Sequence, residues 1–243
     1  MTRADVNGFT ATLRLDLALQ RRNHLYLFTA LTTVLLAVLL RAFVPGEALA
    51  EFLPGLFFLW LGSSTFMFCA AMLLFERGEG SLDALAVTPL PPRAYLLSKV
   101  VSLTLLGTAE SLVILLFAYG SLPTLSAVNL FFLLPGLVGL AALYTLLGLV
   151  VVVRYRSVTH FVVTAPFVVA PLFIPALGLI GLWHPLFYLW PTQAPLLLLQ
   201  GAFGGQGSWQ ILYAVLYTPL TLLAAFVWAE GAFDRHVIER RAA

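Results

Sequence analysis

The chain has 243 residues, of which 61% are hydrophobic and 10% are charged, and its formal net charge is +2. So apolar a composition excludes an ordinary soluble domain and indicates a polytopic membrane protein. The chain's one cysteine, Cys69, excludes a disulfide within a single copy.

Six stretches of the sequence are long and apolar enough to cross a bilayer, since a membrane-spanning helix needs about 20 mostly apolar residues. We therefore predict an all-α membrane protein that forms a single transmembrane domain over residues 1–243. Its predicted spans cover about 25–44, 53–75, 94–119, 127–153, 158–182 and 209–230.

The positive charges are distributed unevenly between the two ends of these spans. The chain has 13 Lys and Arg residues, and with six spans all except Arg41 fall on the side of the two termini. Because loops rich in Lys and Arg stay in the cytoplasm, both termini are expected to be cytoplasmic. The first 24 residues include Asp5 and Asp16 and have no continuous apolar core, so we expect no cleaved signal peptide.

A helix is predicted before the first span, over about residues 9–24. Phe9, Leu13, Leu17 and Gln20 lie on one side of it, whereas Arg14, Asp16 and Arg21 lie elsewhere. That pattern is typical of a helix in the membrane interface whose basic residues reach lipid headgroups. The alternative is a solvated amphipathic leader.

The fifth span and the stretch after it have irregular features. Pro166, Pro171 and Pro175 lie in one span, which predicts a bent or broken helix whose freed carbonyls are satisfied by neighbouring groups. Residues 183–208 contain no Lys, Arg, Asp or Glu and are too interrupted to cross the bilayer. We interpret them as an extracellular re-entrant helical pair; a plain hydrophobic loop is the alternative.

Several kinds of chemistry have no basis in this sequence. It lacks the G-x-x-x-x-G-K-[ST] phosphate loop, so the chain cannot hydrolyse ATP by that mechanism alone. The four histidines are far apart, and we expect neither a metal site nor catalytic residues. Ser63 and Ser64 have no partner base in the sixth span, and small hydroxylated residues are common where membrane helices pack.

Glu110 is an ionisable residue inside a span. It follows Lys99 by eleven residues, about 16 Å along a helix, which places it near the middle of the bilayer. A carboxyl group there should face protein or water. We predict a polar point on a substrate path or at a subunit interface; the alternative is a protonated glutamate bonded to a neighbouring helix.

The stretch FERGEGSLDALAVTPLPPRAYLLSKV, residues 75–100, joins the second span to the third. Ser81 is a candidate N-cap and Asp83 would favour the first turn of a helix. Three prolines, at positions 89, 91 and 92, end any such helix. The pattern predicts a two-turn cytoplasmic helix over about 80–88.

This stretch resembles the cytoplasmic motif of permease subunits of type-2, exporter-class ABC transporters, roughly E-R-E-x-G-[TS]-L-[ED]-x-L-x-x-T-P followed by a lysine in the next span. The matching residues are Glu76, Arg77, Gly80, Ser81, Leu82, Asp83, Leu85, Thr88, Pro89 and Lys99. Gly78 stands where that family usually has a second glutamate. The small size and the stretch LWPTQAPLLLLQGAF are most similar to permeases of the fluoroquinolone-export kind.

The resemblance implies that residues 80–88 form a coupling helix that docks on a separate cytoplasmic ATPase subunit. It implies ATPase contact for Glu76, Arg77, Glu79, Ser81, Leu82, Asp83, Leu85 and Thr88. ATP and magnesium would then bind to the ATPase subunit, and this chain would need no cofactor. A second permease subunit, identical or related, would complete the pathway.

From this we expect an exporter of an amphipathic or hydrophobic solute in a bacterial or archaeal inner membrane, with membrane lipid but no nucleic acid as a partner. Residues of the second and fifth spans, Phe66, Met67, Phe68 and Phe167, are the other candidates for the path. The alternatives are a permease similar to haem exporter B, a polytopic lipid-modifying enzyme, and a structural membrane subunit.

Overall fold

The computed structural model describes residues 3–82, 92–120, 128–155 and 157–238, and helices dominate all four ranges. The α-helices are α1 (Arg3–Arg22), α2 (Leu25–Phe43), α3 (Leu49–Gly78), α4 (Pro92–Tyr119), α5 (Leu130–Val152), α6 (Val158–Val169), α7 (Gln193–Ala202) and α8 (Ser208–Phe233). Short 3₁₀ helices cover Gly46–Ala48, Ala170–Ile180 and Pro185–Leu189, and a π-helical turn, Asp234–Ile238, extends α8.

The six predicted spans are confirmed as helical segments long and apolar enough to cross a membrane. Four are the single helices α2, α4, α5 and α8, the last with its π-helical turn. The other two combine a helix with a 3₁₀ segment, Gly46–Gly78 and Val158–Ile180. The helix before the first span begins at Arg3, so it is longer than the predicted 9–24.

Helix α5 is the centre of the bundle. It packs against α3, α4, α7 and α8, and its sequence is apolar on all sides, as expected for a helix surrounded by protein. Gly136, Gly139 and Gly148 of α5 bring its backbone close to side chains of α7, α8 and α3. Small residues allow such close approach, which stabilises membrane helices mainly through van der Waals contact.

The fifth span breaks where its prolines predict. Helix α6 gives way to the 3₁₀ helix at Ala170, and Pro171 and Pro175 follow. Side chains from outside the span satisfy the carbonyls freed there: the Trp190 indole donates to the Pro171 carbonyl at 2.7 Å, and Thr192 donates to the Leu172 carbonyl at 2.8 Å. Satisfying these groups is what allows irregular backbone at membrane depth.

Residues 183–208 hold two helical pieces, the 3₁₀ helix Pro185–Leu189 and α7. Helix α7 packs against α5 and α8 and is largely buried. Tyr213 and Tyr217 of α8 donate hydrogen bonds to the carbonyls of Tyr188 and Leu189. The stretch is therefore a packed part of the bundle, while its re-entrant position relative to the bilayer stays a prediction.

Candidate functional site

A cluster of buried charged and polar side chains joins three helices at one end of the bundle. We call it the Lys99 cluster; its members are Asp16 of α1, Glu76 of α3, and Tyr95, Ser98 and Lys99 of α4. Each of these residues is at most 6% exposed. At this end α3 finishes and α4 begins, so the cluster lies beside the ends of the stretch that resembles a coupling element.

The Lys99 ammonium group is shared between two carboxylates. It donates hydrogen bonds to Asp16 Oδ1 and to Glu76 Oε1. Ser98 donates to Asp16 Oδ2 at 2.6 Å, and Tyr95 donates to Glu76 Oε2 at 2.5 Å. All four carboxylate oxygens therefore have a donor, which is the condition for keeping charges away from water.

The local sequence explains how α4 presents this set. Tyr95 and Lys99 are four residues apart, so they lie on one face of the helix, and Lys99 Nζ lies 5.0 Å from the centre of the Tyr95 ring. The Ser98 hydroxyl also lies 2.9 Å from the Tyr95 carbonyl, so its one proton is shared between this carbonyl and Asp16. The ring of Tyr95 packs on Phe233 of α8, with 5.1 Å between centroids. The cluster thereby connects α1 and α3 to α4, and through Tyr95 to α8.

Helix α1 is fixed to the bundle by a polar face. Thr12, Asp16 and Gln20 are buried at intervals of four residues, whereas Leu15 and Leu17 are 55% and 39% exposed. Gln20 also reaches Met72 Sδ at 3.6 Å, and Arg22 pairs with Glu79. The sequence pattern placed Asp16 away from the side of Gln20. The structure puts both on the buried face, where Asp16 accepts a hydrogen bond from Lys99.

We expect Asp16→Asn to release α1 from α4. The amide keeps an acceptor for Ser98 but removes one of the two charges that bind Lys99, which weakens a buried, charge-assisted contact. Trypsin should then cut at the exposed Arg14 and Arg21 several-fold faster, since cleavage needs local opening. Ala18→Ser, at an exposed position of the same helix, is the matched control. Equal cleavage rates in both variants would contradict the role of Asp16.

The start of the predicted coupling element is partly described. Arg77 donates to the carbonyls of Val153 and Tyr155, beyond the end of α5. Gly80 has φ +72°, a conformation that glycine adopts readily, and there the chain turns away from α3. The Ser81 hydroxyl donates to the Glu76 carbonyl at 3.0 Å, and Leu82 is buried in the core. Asp83, Leu85 and Thr88, and with them most of the predicted helix 80–88, lie outside the described residues.

The residues predicted for the path do not share one environment. Phe66 is buried and stacks on Phe161, with 6.0 Å between centroids, and Phe68 is buried with its ring edge to Phe28. Met67 and Phe167 are 38% and 79% exposed on the bundle surface. Glu110 is buried, and its Oε1 accepts a hydrogen bond from the Trp60 indole at 2.7 Å.

Reasoning from the sequence missed Asp16, Tyr95 and Ser98 as members of a site. A signal was present, because a lysine within an apolar span requires an anionic partner, and Lys99 is the chain's sole lysine. The sequence offers several acidic residues near the same membrane face. Only the packing of α1 against α4 selects Asp16, which lies 83 residues from Lys99.

Comparison with known proteins places this architecture in a family. The model of the fluoroquinolones export permease protein family matches residues 7–241. Two fluoroquinolones export permease proteins of Mycobacterium tuberculosis, from strains CDC 1551 / Oshkosh and ATCC 25618 / H37Rv, are each 32% identical over 238 residues. The match covers 94% of this chain and 95% of each relative. With six apolar helical spans and a match over nearly its whole length, the chain belongs to the fluoroquinolones export permease protein family.

Proposed function

We propose that this exporter permease is driven by a separate ATPase subunit that docks on residues 76–88, and that two permease subunits form the pathway. The observation that carries the proposal is the Lys99 cluster. Glu76 is the first residue of the docking segment and Lys99 lies beyond its end, and the ion pairs of Lys99 with Glu76 and Asp16 join both ends of the segment to α1. A push on the segment would therefore reach α1, α3 and α4 together.

Mechanical coupling of this kind needs rigid attachment rather than many contacts. A buried ion pair with all its oxygens satisfied holds its geometry more strictly than an exposed pair. Arg77 adds a second attachment, to the end of α5. Since α5 is the central helix, movement at the docking segment would be transmitted to the centre of the bundle.

The energy for transport would come from the partner subunit. The sequence has no phosphate loop, so ATP and magnesium would bind to the partner subunit. The solute would be amphipathic or hydrophobic and would leave the cytoplasm or the inner leaflet. The fluoroquinolones in the names of the two relatives suggest a drug-like solute for this chain as well.

The test is to purify the tagged permease from its native membranes and ask whether an ATPase co-purifies with it. We expect Asp83→Arg to lower ATP hydrolysis by the complex at least about tenfold, the effect of losing roughly 1.4 kcal/mol at an interface. Leu82 is unsuitable for this test, because it is only 2% exposed and a charge there would disturb the permease itself.

The matched control is Glu51→Arg, the same charge reversal at the exposed far end of α3. It should leave both co-purification and ATP hydrolysis unchanged. Absence of any ATPase from the purified permease, or equal hydrolysis by the two variants, would overturn the proposal.

A further inference from the structure

Among the residues that the structure describes, one carboxyl group lies deep in the bundle, far from the charged ends. Glu110 is 3% exposed and lies more than two turns from either end of α4. The other acidic side chains that the structure describes lie within two turns of a helix end. They are Asp16, Glu47, Glu51, Glu76, Glu79, Glu230 and Asp234.

The two oxygens of the Glu110 carboxyl group differ in their hydrogen bonding. The Trp60 indole donates to Oε1, whereas Oε2 has no hydrogen-bond partner among the described residues. None of the ion pairs formed by the described residues includes Glu110. In a hydrocarbon environment a carboxylate that has only neutral donors is costly, and it needs either a proton or a cation as its partner.

Two buried threonine hydroxyl groups lie on α2, the helix that faces Glu110. Thr33, near the middle of α2, faces the Glu110 carboxyl, and Thr29 lies one turn before it on the same buried side. The Thr29 hydroxyl has no hydrogen-bond partner among the described residues. By contrast, Thr32 of the same helix donates to the carbonyl four residues earlier, at 2.9 Å, as membrane threonines commonly do.

An aromatic side chain, Trp60, lies beside Glu110 and is partly exposed at the surface of the bundle. Trp60 is partly buried and its indole N–H donates to Glu110. Indole rings are also the aromatic groups that bind organic cations best. Helix α2 closes the site from the outside. It packs mainly on α4, and apart from Arg41 near its end the rest of its surface is largely apolar and exposed, so a modest outward movement of α2 would open Glu110 towards the membrane.

We propose that Glu110, with the indole of Trp60 and the hydroxyl of Thr33, recognises the cationic group of an amphipathic solute inside the membrane. This inference rests on the proposed function and adds the solute's chemical class, an aromatic or hydrophobic organic cation. The cation takes the place of a proton on the carboxyl group, and that proton leaves to water. The hydrophobic body of the solute would lie between α2 and α4.

The test measures binding to the purified permease in nanodiscs of phosphatidylcholine, which carry no net charge. The probes are tetraphenylphosphonium, a permanent hydrophobic cation, and triphenylphosphine oxide, a neutral aromatic molecule. We expect Glu110→Gln to weaken binding of the cation at least about tenfold, since a desolvated charge partner is lost, and to leave binding of the neutral probe unchanged.

Three further variants separate recognition from a structural role. Glu110→Asp keeps the charge and should retain most of the affinity for the cation. Thr33→Val should weaken binding of the cation less than Glu110→Gln does. Glu51→Gln, at an exposed carboxyl group, should leave binding of the cation unchanged. Gel filtration of each variant reports whether the permease stays folded. If the wild type does not prefer the cation, or if Glu110→Gln binds it equally well, the proposal is wrong.

The outcome is independent of the ATPase test, because binding is measured on the permease alone and without ATP. Loss of cation affinity in Glu110→Gln without any co-purifying ATPase would support the site and overturn the ATP-driven mechanism. If an ATPase associates and Glu110→Gln binds the cation as well as the wild type does, the ATP-driven mechanism is supported and the cation site is overturned.

Discussion

Lys99→Met is expected to destabilise the permease by about 3–5 kcal/mol, because it leaves two buried carboxylates without a cation. Methionine is similar to lysine in length and fills the space of its aliphatic stem. The lost stability is therefore caused by removal of the charge and not by a cavity. The measurement is unfolding of the purified protein in detergent micelles. Asp16 and Glu76 are each at most 6% exposed, so water cannot replace the ammonium group without opening the contact between α1 and α4.

Two variants make this result specific. Arg22→Met removes one partner of an ion pair whose side chains are 59% and 47% exposed, and it should cost less than about 1 kcal/mol. The triple variant Asp16→Asn, Glu76→Gln, Lys99→Met removes all three charges and should recover part of the lost stability. A cost for Lys99→Met no larger than that of Arg22→Met would show that the cluster does not hold these helices together.

Gly62→Ala is expected to be less stable than Gly231→Ala by about 1–3 kcal/mol, because the first methyl group enters a packed contact and the second does not. A Cβ at position 62 would lie 2.7 Å from the rings of both Tyr144 and Phe173, whereas one at position 231 would have no neighbour within 4 Å. Both glycines lie inside α-helices, so the gain in helix propensity is similar for the two substitutions and cancels in the comparison.

The Gly62 contact joins three parts of the bundle. Tyr144 belongs to α5, and Phe173 belongs to the 3₁₀ part of the fifth span. The two rings also pack against each other, with 5.7 Å between centroids. Overpacking here should therefore separate α3 from α5 and from the broken span. Thermal unfolding of the two variants in the same detergent measures the difference, and equal midpoints would show that the close approach at Gly62 is unimportant.

The stability of the Lys99 cluster and the docking of an ATPase are connected but separable. Lys99→Met should lower stability whether or not an ATPase associates. Asp83→Arg should affect ATP hydrolysis without a change in the unfolding of the permease alone. Measuring both properties in both variants distinguishes a cluster that maintains the fold from one that also transmits movement.

Most of the architecture could be read from the sequence. Hydrophobic length determines which segments cross a bilayer, because the lipid core requires about 20 apolar residues in a helix. The three prolines of the fifth span predict its break, and the structure shows the change to a 3₁₀ helix at Ala170. The motif from Glu76 to Lys99 led to the exporter permease class, which the family match supports.

The tertiary structure alone decided which polar groups meet. The sequence shows a lysine one turn or more inside an apolar span, and this requires an anion, but Asp16 lies 83 residues away and Glu76 lies 23 residues away. Likewise Glu110 could be recognised as an unusual residue by its depth, but its partners Trp60 and Thr33 could not. Hydropathy depends on local sequence, whereas pairing of buried charges depends on how whole helices pack, and only the folded bundle specifies that arrangement.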